Sequence, residues 1–84
     1  MDNQENSLAS AELEAMELIK ELVSLRESLM LSQRQASTLL GWSSHGGLSS
    51  IENGRTKPSL ARVIQILHIY GYHLEIVKNK ELPG

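Results

Sequence analysis

The sequence contains no cysteine and no phenylalanine, only two prolines, and an aromatic set reduced to Trp42, Tyr70 and Tyr72. Without cysteine there is neither a disulfide framework nor a thiolate zinc site. No apolar run approaches the ~18 residues that a membrane-spanning helix requires. The leading Met1-Asp2-Asn3-Gln4-Glu5 is acidic and polar, so it does not read as a signal peptide, and a reducing cytoplasm is the expected location. Residues for chemistry are also scarce. His68 and His73 lack carboxylates at ligand spacing, and the serines between 43 and 50 have no base and orienting group beside them. Neither an enzyme nor a cofactor is expected.

What is present is one small domain of 84 residues, 40% apolar and 21% charged, the balance of a folded rather than a disordered chain. A domain of this size buries only ~60% of the surface of its unfolded chain, so dimerisation is expected to supply part of its stability. The net charge of −2 seems to argue against a polyanionic partner. Its distribution reverses that. Residues 1–30 carry Asp2, Glu5, Glu12, Glu14, Glu17, Glu21 and Glu27 against Lys20 and Arg26, a net of −5. Residues 31–84 carry Arg34, Arg55, Lys57, Arg62, Lys78 and Lys80 against Glu52, Glu75 and Glu81, a net of +3. An acidic third precedes a basic remainder.

Residues 1–9 lack periodicity and read as a flexible tail. Ser10 suits a helix N-cap with Glu12 and Glu14 in the first turn. Leu18, Leu22, Leu25 and Leu29, widened by Ile19 and Val23, form the apolar stripe of a helix over 10–30. Ser32-Gln33-Arg34-Gln35 is a capping box that opens a second helix over 33–40, with Ala36, Leu39 and Leu40 on its apolar face and Gly41 as its stop. Ser43 or Ser44 caps a third helix containing Leu48 and Ile51, and Asn53-Gly54 ends it. Ser59 caps a fourth helix with a core stripe of Leu60, Val63, Ile64 and Leu67, closed by Gly71. Ile66 and Ile69 fall off that stripe and suggest a partner surface. Tyr72, Leu74 and Ile76 alternate with His73 and Glu75 as in a strand, and residues 78–84 read as a tail. A lone strand needs a ladder partner. The simplest supply is the same strand of a second subunit, antiparallel about a two-fold axis. Ile66, Ile69, Tyr70, Tyr72, Leu74 and Ile76 are then the expected dimerisation residues.

Three motifs stand in order: Leu31-Ser-Gln-Arg-Gln-Ala-Ser-Thr-Leu-Leu-Gly41, Leu48-Ser-Ser-Ile-Glu-Asn-Gly-Arg55 and Lys57-Pro-Ser-Leu60. Together they resemble the helix-turn-helix domain of the lambda-repressor/Cro type, the XRE family, over about residues 22–71. The resemblance implies a mainly α fold of four to five helices, here with a C-terminal β-strand in place of the usual fifth helix. Domain limits of 10–77 follow. The strand after Leu67-His-Ile-Tyr-Gly71 looks like that of HipB-like antitoxin repressors. One residue more than the usual pattern lies between Gly41 and Ile51, so either the recognition helix starts late or the turn bulges at Trp42-Ser43.

The resemblance also implies double-stranded DNA as partner, a palindromic operator read through the major groove by a homodimeric transcriptional repressor, and, for an antitoxin, a toxin protein bound elsewhere. The end of the third helix that points at base edges carries Ser44, His45, Gly46, Gly47, Ser49 and Ser50. The pattern assigns Gln33 to the DNA backbone or an adjacent base. Arg34, Arg55 and Lys57 suit phosphates, and Thr56 adds a hydroxyl. Asn53 suits either a phosphate or the turn that ends the helix, and Trp42 reads as core of the turn rather than a DNA contact. Glu52 is expected to pair locally with Arg55. Helix 1 is expected to face away from the duplex, opposite Arg34, Arg55 and Lys57. The alternative is a protein-interaction module on the same fold with little DNA binding, working through the acidic helix and the Ile66/Ile69 strip.

Overall fold

The computed structural model describes residues 4–79 and holds four helices among them: α1 (Gln4–Ser28), α2 (Gln33–Leu40), α3 (Gly46–Glu52) and α4 (Leu60–Tyr70). No helix among the described residues is long and apolar enough to cross a membrane. The helix expected from residue 10 begins at Gln4 instead, so most of the expected tail is helical. The reason is local. No glycine or proline lies between Gln4 and Ser28, and Leu8, Ala9, Ala11 and Ala15 are strong helix formers, so nothing stops the helix at Ser10. The remainder of that tail, residues 1–3, and most of the C-terminal one, 80–84, lie outside the described residues.

The helices end alike. At each C-terminus the next backbone amides reach back to carbonyls of the last turn, and a residue one or two positions past the end adopts positive φ. Glycine fills that position after α2, α3 and α4. After α1 it is Met30, at φ 59°, with Met30 N–H donating to Glu27 O at 2.9 Å and Leu31 N–H donating to Arg26 O at 3.1 Å. This reversal lets α2 start with only four residues between it and α1. The capping box forms as the sequence predicts: Ser32 Oγ accepts from Gln35 N–H at 3.0 Å and Gln35 Oε1 accepts from Ser32 N–H at 2.8 Å.

The core gathers Leu22 of α1, Ala36 and Leu40 of α2, Leu48 and Ile51 of α3, and Val63, Ile66, Leu67 and Tyr70 of α4. Helix α4 therefore buries a stripe rotated from the expected one. Leu60 is 68% exposed and Ile64 half-buried, whereas Ile66 is wholly buried and Tyr70 nearly so. Contacts with α1 and with α2 enclose α4 from two sides, so its second apolar strip is core and not a partner surface. Ile66 and Tyr70 accordingly leave the expected dimerisation set, and Ile69 packs half-buried against the core. Leu39, expected on the apolar face of α2, is 57% exposed. Gln65 of α4 donates to the carbonyl of Leu40 at 3.1 Å, satisfying one of the acceptors that α2 leaves at its end.

The expected strand is absent among the described residues: 72–79 form neither helix nor strand after Gly71. A strand exists only by its ladder, and the described residues contain no strand to provide one. Tyr72 and Leu74 flank a hollow with Leu18, Leu22 and Leu25 of α1, while Ile76 and Val77 stand in solvent.

A buried polar joint locks three helices. Arg26 Nε and Nη2 donate to the two carboxylate oxygens of Glu52 at 2.8 and 3.0 Å, and Arg26 Nη1 donates to Leu31 O at 2.7 Å. Gln33 Nε2 adds a bond to Glu52 Oε1 at 2.9 Å. Glu52 thus pairs across the fold with α1 and not with Arg55, because the bidentate fork of Arg26 meets it inside the domain. The hydrogen bonds that Arg26 donates to Glu52 hold its guanidinium above its ordinary pKa, against the opposing effect of burial.

Beside this joint lies the Tyr70 hydroxyl, buried and without a hydrogen-bond partner among the described residues. Burial, aided by the Glu52 carboxylate, pushes its pKa up to about 12. The folded state therefore keeps a proton that the unfolded state releases near pH 10. That contribution is complete below pH 10 and is lost as pH rises towards 12, by about 1.4 kcal/mol per pH unit at most. Tyr70→Phe is expected to flatten this alkaline loss in urea titrations. At pH 7 it should cost little or even stabilise, since it removes an uncompensated polar group.

Candidate nucleic-acid interface

Helix α3 buries Leu48 and Ile51, as its period predicts, and leaves its N-terminal end outward. The turn between α2 and α3 runs from Gly41 to His45 and absorbs the extra residue, so α3 starts at Gly46. His45 precedes the helix at φ −82° and ψ −3° without a side-chain cap, while Ser44 Oγ accepts from Gly46 N–H at 3.4 Å.

Two hollows flank this end of α3. One lies against α2 and gathers Arg34, Thr38, Trp42, Ser44 and His45. The other lies against α4 and gathers Gly46, Gly47, Ser50, Thr56, Lys57 and Arg62. The first carries one fixed positive charge and the second two, each beside hydroxyls. Ser49 is half-buried on α3, and Arg55 is exposed just beyond it. Such a groove-sized projection with cations on both sides suits base edges in the middle and phosphates at the flanks.

The remaining predicted residues fall as follows. Gln33 is half-buried, and its amide nitrogen donates to Glu52 Oε1. Asn53 Oδ1 accepts from Arg55 N–H at 3.1 Å, so its carbonyl shapes the turn while its amide nitrogen is exposed. Lys57 is not opposite α1: its Nζ lies 3.5 Å from Glu12 Oε2. Glu12, in the first half of α1, thus lies alongside the α3–α4 loop. Both side chains are largely exposed, so this pair is weak and a phosphate can displace it.

Two participants have no counterpart among the expected site residues. Arg62 stacks over the Trp42 ring at 4.6 Å from its centroid, tying α4 to the α2–α3 turn and placing its charge in the second hollow. A sequence signal exists. Arg62 is the third residue after the Ser59 cap, where the helix dipole disfavours a cation, so another interaction has to hold it there. The Arg26–Glu52–Gln33 joint is the other, and it has no signature in local spacing.

Neither Gly46 nor Gly47 has positive φ, and a Cβ would meet nothing closer than Ser44 Oγ at 3.6 Å or the Trp42 ring at 3.7 Å. Backbone geometry does not require glycine at either position. Gly46→Ala and Gly47→Ala should each stabilise the domain by up to about 1 kcal/mol in denaturant titration. If the two glycines serve close approach to DNA, the same variants bind operator more weakly; equal or tighter binding would exclude that role.

The fold and the site define a helix-turn-helix domain, and the comparisons agree. The helix-turn-helix family matches residues 22–77, more than half of the chain, which therefore belongs to that family, in its XRE, lambda-repressor/Cro branch. A relative from Haemophilus influenzae described as an uncharacterized HTH-type transcriptional regulator is 40% identical over 60 residues. Those residues make up 71% of this chain and 60% of the relative, so the chain spans less than two thirds of that protein. No solved structure matches it.

Proposed function

We propose that the chain is a sequence-specific DNA-binding transcriptional regulator that acts as a homodimeric repressor on a palindromic operator. The observation that carries this reading is the outward end of α3 standing between two cationic hollows, within a family of DNA-binding domains. The description of the Haemophilus influenzae relative as a transcriptional regulator supports it. The dimer is supported by Tyr72, Leu74 and Ile76, which alternate along a segment outside helix and strand and are all substantially exposed. Antiparallel pairing of this segment with its twin would supply the missing hydrogen bonds and cover these side chains.

Selection of bound duplexes from a random pool, with the mass of the free protein measured in parallel, tests both parts. The reading expects an enriched palindrome with half-sites about one helical turn apart, and a mass twice the 9.3 kDa of one chain. Enrichment of no sequence would refute operator recognition, and a 9.3 kDa monomer would refute the dimer. A second, protein-directed reading, a repressor that also neutralises a toxin, is favoured by the first turns of α1, which extend beyond the domain with Leu8, Leu13 and Met16 exposed.

A further inference from the structure

We propose that the amino-terminal arm of α1 is a docking surface for a basic amphipathic helix of another protein. The inference deepens the protein-directed reading and does not depend on operator binding.

Leu8, Ala11, Ala15, Leu18, Leu22 and Leu25 recur at spacings of three and four and form one stripe along α1. Its lower half is occupied: Leu22 is buried, and Leu18 and Leu25 pack against the core. Its upper half is bare, with Leu8 62% exposed and Ala11 and Ala15 also exposed. The two alanines and Leu18 floor a shallow groove whose edge carries Glu14, Glu17 and Glu21. Small residues there permit close approach of another backbone. At Leu18 and Glu21 the groove borders the hollow formed with Leu67 and Leu74, the side of the molecule assigned above to the dimer. From Leu8 to Leu18 the bare half runs about 15 Å at 1.5 Å per residue, about three turns of a docked helix.

Charge selects the occupant. Among the described residues Glu14 and Glu21 have no ion pair, and Lys20, the arm's single base, already lies 3.8 Å from Glu17. Pairing arm to arm with a second copy would set one carboxylate row against another, with only Lys20, already beside Glu17, to offset them. A helix with lysine or arginine beside its apolar seam satisfies both features of the groove.

The test titrates the full chain with two synthetic helices of about 18 residues. Both carry leucine at the seam; one has lysine and the other glutamate at the flanking positions. The lysine peptide is expected to bind at least about tenfold more tightly and to weaken with salt. Ala15→Asp should reduce that binding about tenfold or more, and the triple variant Glu14→Lys, Glu17→Lys, Glu21→Lys should reverse the preference between peptides. All these positions are exposed, and helicity by circular dichroism confirms that each variant folds. Operator binding by the same variants should persist, which separates failure here from failure of the DNA-binding reading. Equal binding of the two peptides, or binding of neither, overturns the proposal. So does conversion of a dimer to a monomer by Ala15→Asp, which would make a second copy the occupant.

Discussion

Replacing Arg26 with alanine is expected to cost about 3–5 kcal/mol of stability, because it leaves the Glu52 carboxylate buried without its partner. Glu52→Ala should cost about as much from the other side, and it also strands the Gln33 amide. The side chains of the pair are only 11% and 7% exposed, so water offers little compensation. A chain of this length holds a total of only about 4–12 kcal/mol. Either variant should therefore lower the urea midpoint sharply, and in the less stable part of that range it leaves much of the chain unfolded. The double variant Arg26→Met, Glu52→Leu removes both charges together and should recover most of the loss. If the single variants behave like ordinary surface substitutions, the joint does not hold α1, α2 and α3 as described.

Reversing two exposed charges should leave the fold intact and abolish function. Arg55→Glu with Lys57→Glu is expected to weaken operator binding at least about a hundredfold and to lower the slope of log affinity against log salt by roughly two. The two positions are not equivalent. In the free chain Lys57 lies beside Glu12, so a phosphate has to displace that carboxylate, whereas no ion pair holds Arg55 among the described residues. Arg55→Glu alone should accordingly cost more than Lys57→Glu. Glu12→Gln should tighten binding a few-fold by relieving the competition. Electrophoretic shift assays at two salt concentrations separate these outcomes, and unchanged thermal unfolding shows that the fold survives.

Local chemistry made much of this architecture legible. The capping box at Ser32 and Gln35, the glycines closing α2 and α4, and the inward Leu48 and Ile51 follow from interactions within a few residues, and the sequence displays those directly. The errors arose where distant elements decide. Ile66 and Ile69 read as a spare strip because one helix's periodicity does not reveal that two neighbours enclose it. Leu60 looked like core although α4 packs on a face rotated away from it. The Arg26–Glu52 pair joins residues 26 positions apart, and no spacing rule connects them. The strand at 72–77 was read from true alternation, but alternation describes a face and not a ladder. At the site, Ser44, His45, Gly46, Gly47, Thr56 and Lys57 line two hollows beside the start of α3, and a DNA-contacting role for each is part of the proposal. Arg62 was missed because its role depends on Trp42, twenty residues earlier and in another element.

The central claim, that the outward end of α3 and its flanking cations read duplex DNA, is tested most directly by affinity for a selected duplex across a range of salt, beside a scrambled duplex of equal length. The account predicts that log affinity falls linearly with log salt by about 0.9 for each phosphate neutralised. It also predicts that the selected duplex stays tighter by at least about a thousandfold. Equal binding of both duplexes, with no dependence on salt, would contradict it.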